Sequence, residues 1–575
     1  MQIMKCFFRL AAFLCPVFAF TQSTYIPLGS KAYDFIDRME IKLQENRNLN
    51  FSSVKPFNRK QIVREVEYLD STRMTPTDSA LGFNKYGDRS DLILTPVDEY
   101  NLKSLLMNNS EWVLTPRPEF ESATPFLKYF YKTRANLFEL NTTDLFLAIN
   151  PVLNFQAGKE SNNSETILVN TRGINVRGLL AKKIGFYSLI TDNQERGPKF
   201  FENRVNQFRA VPGNGFYKPF RNHAFDYFDA RGYITFNAAK YIDFQFGYDK
   251  NFIGNGYRSL YLSDHGNSYL FFKINTRIWK FNYQNIFMEL MPQFNKNGKD
   301  SLLNRKYAAM HHLSMDITKW LNIGLFESII FGRVNHFDFQ YLNPIIFLRS
   351  VEGNVGSPDK AHVGIDFKAN VAHQAQVYGQ FLLDEFVAKQ ITKSNGYWAN
   401  KYALQLGFKY VDAFNINNLD LQFETNMARP YTYSHNDTTS NYTHYNQMLA
   451  HPLGANFREF IGIAKYQPKP KIYLNARIIY FTQGIDSAGR NFGSNPFESY
   501  LTRPRDFGFF IGSGNKVNCL NASFTASYEL RENFFIDATA LYRRYKTALV
   551  SSLNNNTSML TVGIRWNIAR RDYDY

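Results

Sequence analysis

A chain of 575 residues with a mean hydropathy of −0.36 is too polar for a bundle of membrane helices, and its length fits several soluble domains or one large barrel. Aromatics reach 17%, with 54 Phe and 36 Tyr, which suits the girdles of a membrane barrel, although an aromatic-rich sugar-binding sandwich competes. The formal charge of +16 suggests anionic lipopolysaccharide or an acidic polysaccharide as a partner rather than nucleic acid, since the chain reads as exported.

Residues 1–21 read as a secretory leader. Lys5 and Arg9 precede an apolar run over 10–20, and Ala19 and Thr21 supply small residues before a cleavage point ahead of Gln22. Cys6 and Cys15 would leave with the leader, together with two positive charges, which lowers the net charge to +14. Cys519 then stands alone, so neither an intramolecular disulfide nor a thiolate metal cluster is expected. No later run is long and apolar enough for a transmembrane helix.

Residues 22–118 read as helical. Ser30 can cap a helix over 31–44, in which Phe35, Met39 and Leu43 recur four apart. Asn58 and Gln61 resemble a capping box ahead of Ile62, Val66 and Leu69. Thr95 and Pro96 supply a cap and a first-turn proline for a helix over 97–107. Residues 74–94 show turn residues and little periodicity. Short amphipathic helices need a surface to pack on, so a plug or a small periplasmic domain is expected.

From 119 to 575 the period is two. Ile242, Phe244, Phe246 and Tyr248 alternate with Asp243, Gln245, Gly247 and Asp249. The same dyad runs over 363–371, 402–410, 419–424 and 520–528. Runs of this length cross a bilayer at a tilt, and short turns such as 531–533 alternate with long polar segments such as 434–446 and 484–505. This argues against the sandwich and for an all-β transmembrane barrel of about 18 antiparallel strands with a small N-terminal helical plug. Leu560, Val562, Ile564, Trp566 and Ile568 form the dry face of the last strand, expected to close the barrel near 127–140. Residues 569–575 then pose a choice. Either Tyr575 is the closing aromatic of a longer strand, or Trp566 lies in the girdle and the rest hangs in the periplasm.

Three segments carry chemistry. Gly254 and Gly256 lack the third glycine and following helix of a nucleotide fingerprint. Their loop reads either as a ligand contact, with Arg258, Asp264 and His265 available, or as a turn tucked into the lumen. Asp384 and Glu385 point to opposite faces of a strand and cannot form a glycosidase pair; Asp384 is expected to face inward, where a lumenal Lys or Arg could pair with it. Glu424 leads through Arg429, Tyr431 and His435 into a long loop whose rings, guanidinium and amides suit sugar hydroxyls and C–H faces, or are ordinary loop polarity. His311, His312 and His336 lack regularly spaced carboxylate or cysteine companions, so no metal or other cofactor is expected. No Gly-x-Ser-x-Gly elbow is present; a barrel hydrolase would need only Ser, His and Asp or Asn.

Several of these segments also carry a resemblance. Residues 25–30 (YIPLGS), 191–197 (TDNQERG), 248–264, 341–347 (YLNPIIF), 356–359 (GSPD), 383–386 (LDEF), 429–435 (RPYTYSH) and 451–457 (HPLGANF) resemble the outer-membrane family that includes the gliding-motility protein RemB. That family is related more distantly to the capsule-assembly lectin Wzi, through the plug-plus-barrel layout and the run at 254–263. The resemblance implies an 18-stranded barrel blocked by a periplasmic helical bundle, without catalysis. It implies a part in holding capsular polysaccharide or in surface motility. The expectation is therefore a non-enzymatic outer-membrane barrel that binds surface polysaccharide; the chemistry of the residues themselves, not the resemblance, offers Arg258, Asp264, His265, Arg429, Tyr431 and His435 as contacts, with Asp384 and Glu424 orienting them or lining the lumen. A porin-like or gated channel is the alternative. Expected partners are the polysaccharide, outer-membrane lipid and lipopolysaccharide, the barrel-assembly machinery and the motility machinery.

Overall fold

The computed structural model describes residues 23–44, 51–73, 94–115, 117–127, 129–161, 163–294, 302–333, 336–391, 393–550 and 553–575. Residues 1–22, which hold the expected leader, and most of 74–94 lie outside them. Helices α1 (Ala32–Leu43), α2 (Arg59–Arg73) and α3 (Pro96–Met107) form the plug. The Ser30 hydroxyl accepts from the Ala32 N–H at 3.3 Å and the Asn58 side chain from the Gln61 N–H at 3.2 Å. Thr95 and Asp98 complete a reciprocal capping box. The apolar faces of the three helices meet in a core that includes Phe35, Met39, Ile62, Val66, Leu102 and Leu106. Each such buried side chain contributes about 1.5–3 kcal/mol.

Eighteen antiparallel strands close the wall. They are β1 (Leu145–Glu160), β2 (Thr166–Leu180), β3 (Ile184–Arg196), β4 (Ala224–Ala239), β5 (Ile242–Asp249), β6 (Tyr269–Ile278), β7 (Phe281–Leu290), β8 (Lys306–Asp316) and β9 (Leu321–Phe331). The ring continues with β10 (Lys360–Val371), β11 (Ala375–Glu385), β12 (Lys401–Tyr410), β13 (Leu419–Ala428), β14 (Phe457–Lys469), β15 (Ile472–Ile485), β16 (Asn515–Arg531), β17 (Phe534–Thr547) and β18 (Asn555–Trp566). The alternation read from the sequence is inverted in its burial. In β10, Ile365 is 48% exposed, whereas Lys368, on the other face, is 1% exposed. Leu406, Phe423, Phe460, Ile478, Phe524 and Leu560 also face outward. An apolar exterior of this extent is the signature of a lipid-facing wall.

The connections are asymmetric. One end carries tight links at 181–183, 240–241, 279–280, 372–374, 470–471 and 532–533, with Tyr241, Trp279, Trp320 and Phe414 exposed around that rim. The other end carries 197–223, 250–268, 332–359, 386–400, 429–456 and 486–514. The tight end is periplasmic and the long end extracellular. The plug enters from the tight end. Arg38 binds Asp98 within the plug, and Asp412 and Asp420 at the tight link between β12 and β13. Lys31 binds Glu529 and Glu532. Deeper in, Lys368 of β10 meets Glu40 and Ser52.

Two expectations at the seam are corrected. β18 closes on β1, from Met559 opposite Glu160 to Trp566 opposite Leu153, and not on 127–140. At the end of that segment, Phe138–Asn141 pairs with β1 below the seam, where β18 has ended. Residues 569–575 neither extend the strand nor hang in the periplasm. They turn back and rise through the lumen. Tyr573 and Tyr575 pack against Phe200 and Phe201 of helix α4 (Lys199–Phe208), which follows β3 at the extracellular end.

Candidate functional site

The lumen is filled from both ends by the chain's own segments. The loop after β5 folds inward, pairing Phe252–Ile253 with Val54–Lys55 of the plug. Glu424 on the inner face of β13 fixes it. The carboxylate accepts from the Tyr257 N–H at 2.7 Å, the Arg258 N–H at 3.0 Å, the Tyr378 hydroxyl at 2.8 Å and Asn426 Nδ2 at 2.8 Å. Gly256 permits this approach, because a Cβ there would lie 2.4 Å from Glu424 Oε2.

Arg258, expected as an external sugar contact, is 6% exposed and points into the lumen. It binds Asp574 at 3.0 Å and Glu459 at 3.5 Å, and donates to the Asp574 carbonyl at 2.5 Å. Burial opposes the charge on Asp574, but Arg258 and Arg477 outweigh it and hold the carboxyl well below its usual range. His265 stacks edge-on to Tyr575, and burial next to Arg204 and Arg258 holds its imidazole well below its ordinary range, hence neutral. Asp264 stays exposed. Asp384 points inward, pairing with Lys360 and accepting from the Tyr433 N–H at 2.8 Å, while Glu385 at the rim binds Lys401 at 2.7 Å.

The loop 429–456, expected to present Arg429, Tyr431 and His435 outward, descends into the mouth instead. Apart from residues 436–438 it is buried or nearly so. Its Tyr433, Tyr442 and Leu449 join Leu260, Tyr261, Phe326 and Met310 in an apolar core inside the barrel. The sequence shows this loop's polarity but not its direction. A polar lumen gives a polar loop the hydrogen bonds that solvent would, so both directions read alike.

These three residues do organise an open surface. Arg429 donates to the carbonyls of Asn400 (2.7 Å), Tyr397 (3.3 Å) and Phe509 (3.1 Å), so it staples three extracellular segments together. The Tyr431 hydroxyl donates to the Asn491 carbonyl at 2.7 Å, and its ring abuts Trp398 and Phe509. His435 lies against Tyr500. Above them sits a cluster that the sequence reading missed. Trp398 and Tyr500 lie 4.9 Å apart, Arg503 stacks 4.0 Å over Trp398, and Lys401 sits 4.1 Å from the Tyr500 ring. Tyr397 and an exposed Phe507 extend it. Its signal was spread over two loops about a hundred residues apart, which no local motif joins. Half-buried rings bordered by the Arg503 guanidinium present apolar faces for sugar C–H edges and donors for carboxylates or hydroxyls, while Lys401, fully buried and paired with Glu385, braces the Tyr500 ring.

Other chemistries fit less well. His311 and His312 do have carboxylate companions at 2.8 Å, Glu327 on the neighbouring β9 and Asp366 on β10, one strand further on. These remain pairs, and among the described residues no group of three or more His, Cys, Asp or Glu is arranged to hold a metal. Ser328, His362 and Asp384 form a string, with Ser328 Oγ 3.3 Å from His362 Nδ1 and His362 Nε2 3.6 Å from Asp384. All three are sealed beneath Tyr433 and Tyr442, and Lys360 engages the Asp384 carboxylate, so a substrate carbonyl has no approach to the serine.

A closed wall with an apolar exterior, a polar interior and one end of long connections is an outer-membrane β-barrel. This one has a filled lumen. Comparison with known proteins agrees on the fold. No family model and no curated protein matches the chain in sequence. Among solved structures it is similar to Wzi, an outer-membrane protein involved in group 1 capsule assembly in Escherichia coli and described as a carbohydrate-binding β-barrel. The TM-score is 0.55 at 10% identity, covering 95% of this chain and 100% of that one. Fainter likenesses are to OprD of Pseudomonas aeruginosa (TM-score 0.41, 8% identity, 73% and 93% covered) and OccAB1 of Acinetobacter baumannii (0.40, 10%, 73% and 96%).

Proposed function

We propose that this barrel binds surface polysaccharide at its extracellular face without catalysing a reaction, and that it serves capsule assembly or gliding motility. The observation that carries the reading is the Trp398–Tyr500 cluster flanked by Arg503. Arg429, Tyr431 and His435 act beneath it as positioning residues. The carbohydrate binding described for Wzi supports the same reading. The RemB resemblance is the ground for the motility alternative.

The test is binding of purified surface polysaccharide to the detergent-solubilised barrel. Trp398→Ala is expected to weaken it about 5- to 10-fold, the worth of one aromatic contact of about 1–1.5 kcal/mol. Heat-modifiable gel mobility should be unchanged. Equal affinity in the variant, or no binding by the parent, would overturn the reading.

A porin-like or gated channel draws support from one observation, an open chamber of about 330 Å³ beside the plug. Single-channel conductance separates the two readings.

A further inference from the structure

The chamber lies between the inner faces of β1–β4, the plug and residues 569–571. Along β3 its lining runs from Tyr187 to Asn193, which at about 3.3 Å per residue makes it roughly 20 Å long. Its lower end meets Asn101 of α3 and Asn533 in a tight link, at the periplasmic rim. Its upper end meets Gly213 and Lys250. There it is shut. Lys250 Nζ donates to the carbonyls of Gly213 (2.7 Å) and Asp264 (3.1 Å). The Gly213 N–H donates to Gln447 at 2.9 Å and Arg571 to the Pro212 carbonyl at 3.0 Å. The chamber is therefore shut toward the outside, and at its lower end the plug meets the rim, where Asn533 donates to Asn108 at 2.7 Å.

Its lining is chemically specific. Asn150, Asn154, Asn175 and Asn193 offer amides along one wall, and Tyr187 and Tyr227 offer ring faces. Lys and Arg outnumber Asp and Glu eight to two among the lining residues. Six of the cations bind carboxylates, some of them outside the lining. Among the described residues, Arg59 and Lys250 do not. Arg59 donates to the Tyr25 and Asn108 carbonyls and to Asn109 Oδ1, and Lys250 to the two carbonyls already named, so all their acceptors are neutral. Arg571 adds a buried Nη2 that has no partner among the described residues. Burial and Arg231 draw the Lys250 ammonium down to about 7, opposed by Asp229 and Asp264 and reinforced by Arg571; an anion beside it would restore its charge.

We infer that the chamber is a second binding site, distinct from the extracellular cluster, for a short acidic oligosaccharide. The carboxylate would lie toward Lys250 and Arg571 and the hydroxyls along the asparagine wall. A free inorganic anion shares only the first half of this chemistry.

The experiment is calorimetry on the full-length barrel in detergent, with trigalacturonate, maltotriose and inorganic phosphate as probes. Trigalacturonate is expected to bind at least tenfold tighter than either of the others. Thr171→Trp, which fills the chamber from β2, should abolish that binding. Lys250→Gln, which keeps a donor for the carbonyls but removes the charge, should weaken it at least tenfold. Trp398→Ala should leave it unchanged, which separates this site from the surface site. Where Thr171→Trp fails to give a heat-modifiable band, the Lys250→Gln result decides. Absence of trigalacturonate binding, parity with maltotriose or phosphate, insensitivity to Lys250→Gln in the folded barrel, or loss on Trp398→Ala would each overturn the inference.

Discussion

At the scale of the residue, Glu424 shows how much one buried carboxylate can organise. Replacing it with alanine leaves two backbone N–H groups and a tyrosine hydroxyl without an acceptor. An unsatisfied buried donor costs about 1–3 kcal/mol, so Glu424→Ala is expected to lower stability by about 3 kcal/mol or more, read as an earlier loss of heat-modifiable mobility. A variant as stable as the parent would mean that the inward loop is held elsewhere. The carboxyls of 569–575 give a pH dependence with a definite sign. Burial opposes ionisation of Asp572, but Arg477 and Arg570 hold it at about 2, and Asp574 is held low as well. Their unfolded values are about 3.9. Stability from these groups is therefore complete above about pH 4 and lost as pH falls through the folded values. Asp572→Asn and Asp574→Asn together should blunt the acid limb of a stability–pH curve and leave its slope between pH 6 and 8 untouched. The sequence displayed the types of these residues but not their partners. Arg258 looked like a surface ligand because a guanidinium is usually solvated, and only the fold brings Asp574 to it across more than three hundred residues.

At the scale of the element, the strands were legible and the insertions were not. Ile242–Asp249 matches its dyad from end to end, because a lipid-facing wall enforces apolar identity at every second position. The plug helices were legible through the Thr95 cap with Pro96 and through the Asn58 cap, which are local by nature. Helix α4 and the path of 569–575 were not, since their packing partners are remote and their composition matches that of a solvated loop. The two alternatives read for 569–575 both failed for that reason. Because β18 completes its pairing with β1 by Trp566, deletion of 569–575 should still yield a heat-modifiable barrel. Its melting midpoint should fall, since Arg258 and Glu195 lose buried partners. Complete failure to assemble would show instead that this segment is needed for insertion.

At the scale of the molecule, the barrel carries two seals in series. The plug closes the periplasmic end, while the infolded loops 250–268 and 429–456 close the extracellular end around a core of their own. Removing the plug alone is therefore expected to leave conductance in planar bilayers close to that of the intact protein, which should itself be nearly silent. Removing the plug together with 429–456 should open large steady steps. Steps from the plug deletion alone would assign the whole seal to the helices. The sequence foresaw one stopper, and the second escaped notice because a core built from loops shows neither of the two regular periods.

The route of 569–575 also sets a schedule. A ring of eighteen strands shuts at one seam, between β1 and β18, and this segment issues from the strand at that seam. Its partners lie on both flanks of that seam: Glu195 on β3 to one side, Arg477 on β15 and Asn521 on β16 to the other. The segment can complete these contacts only when the two flanks have come together, so its docking accompanies or follows closure of the ring and ties the first strands to the last.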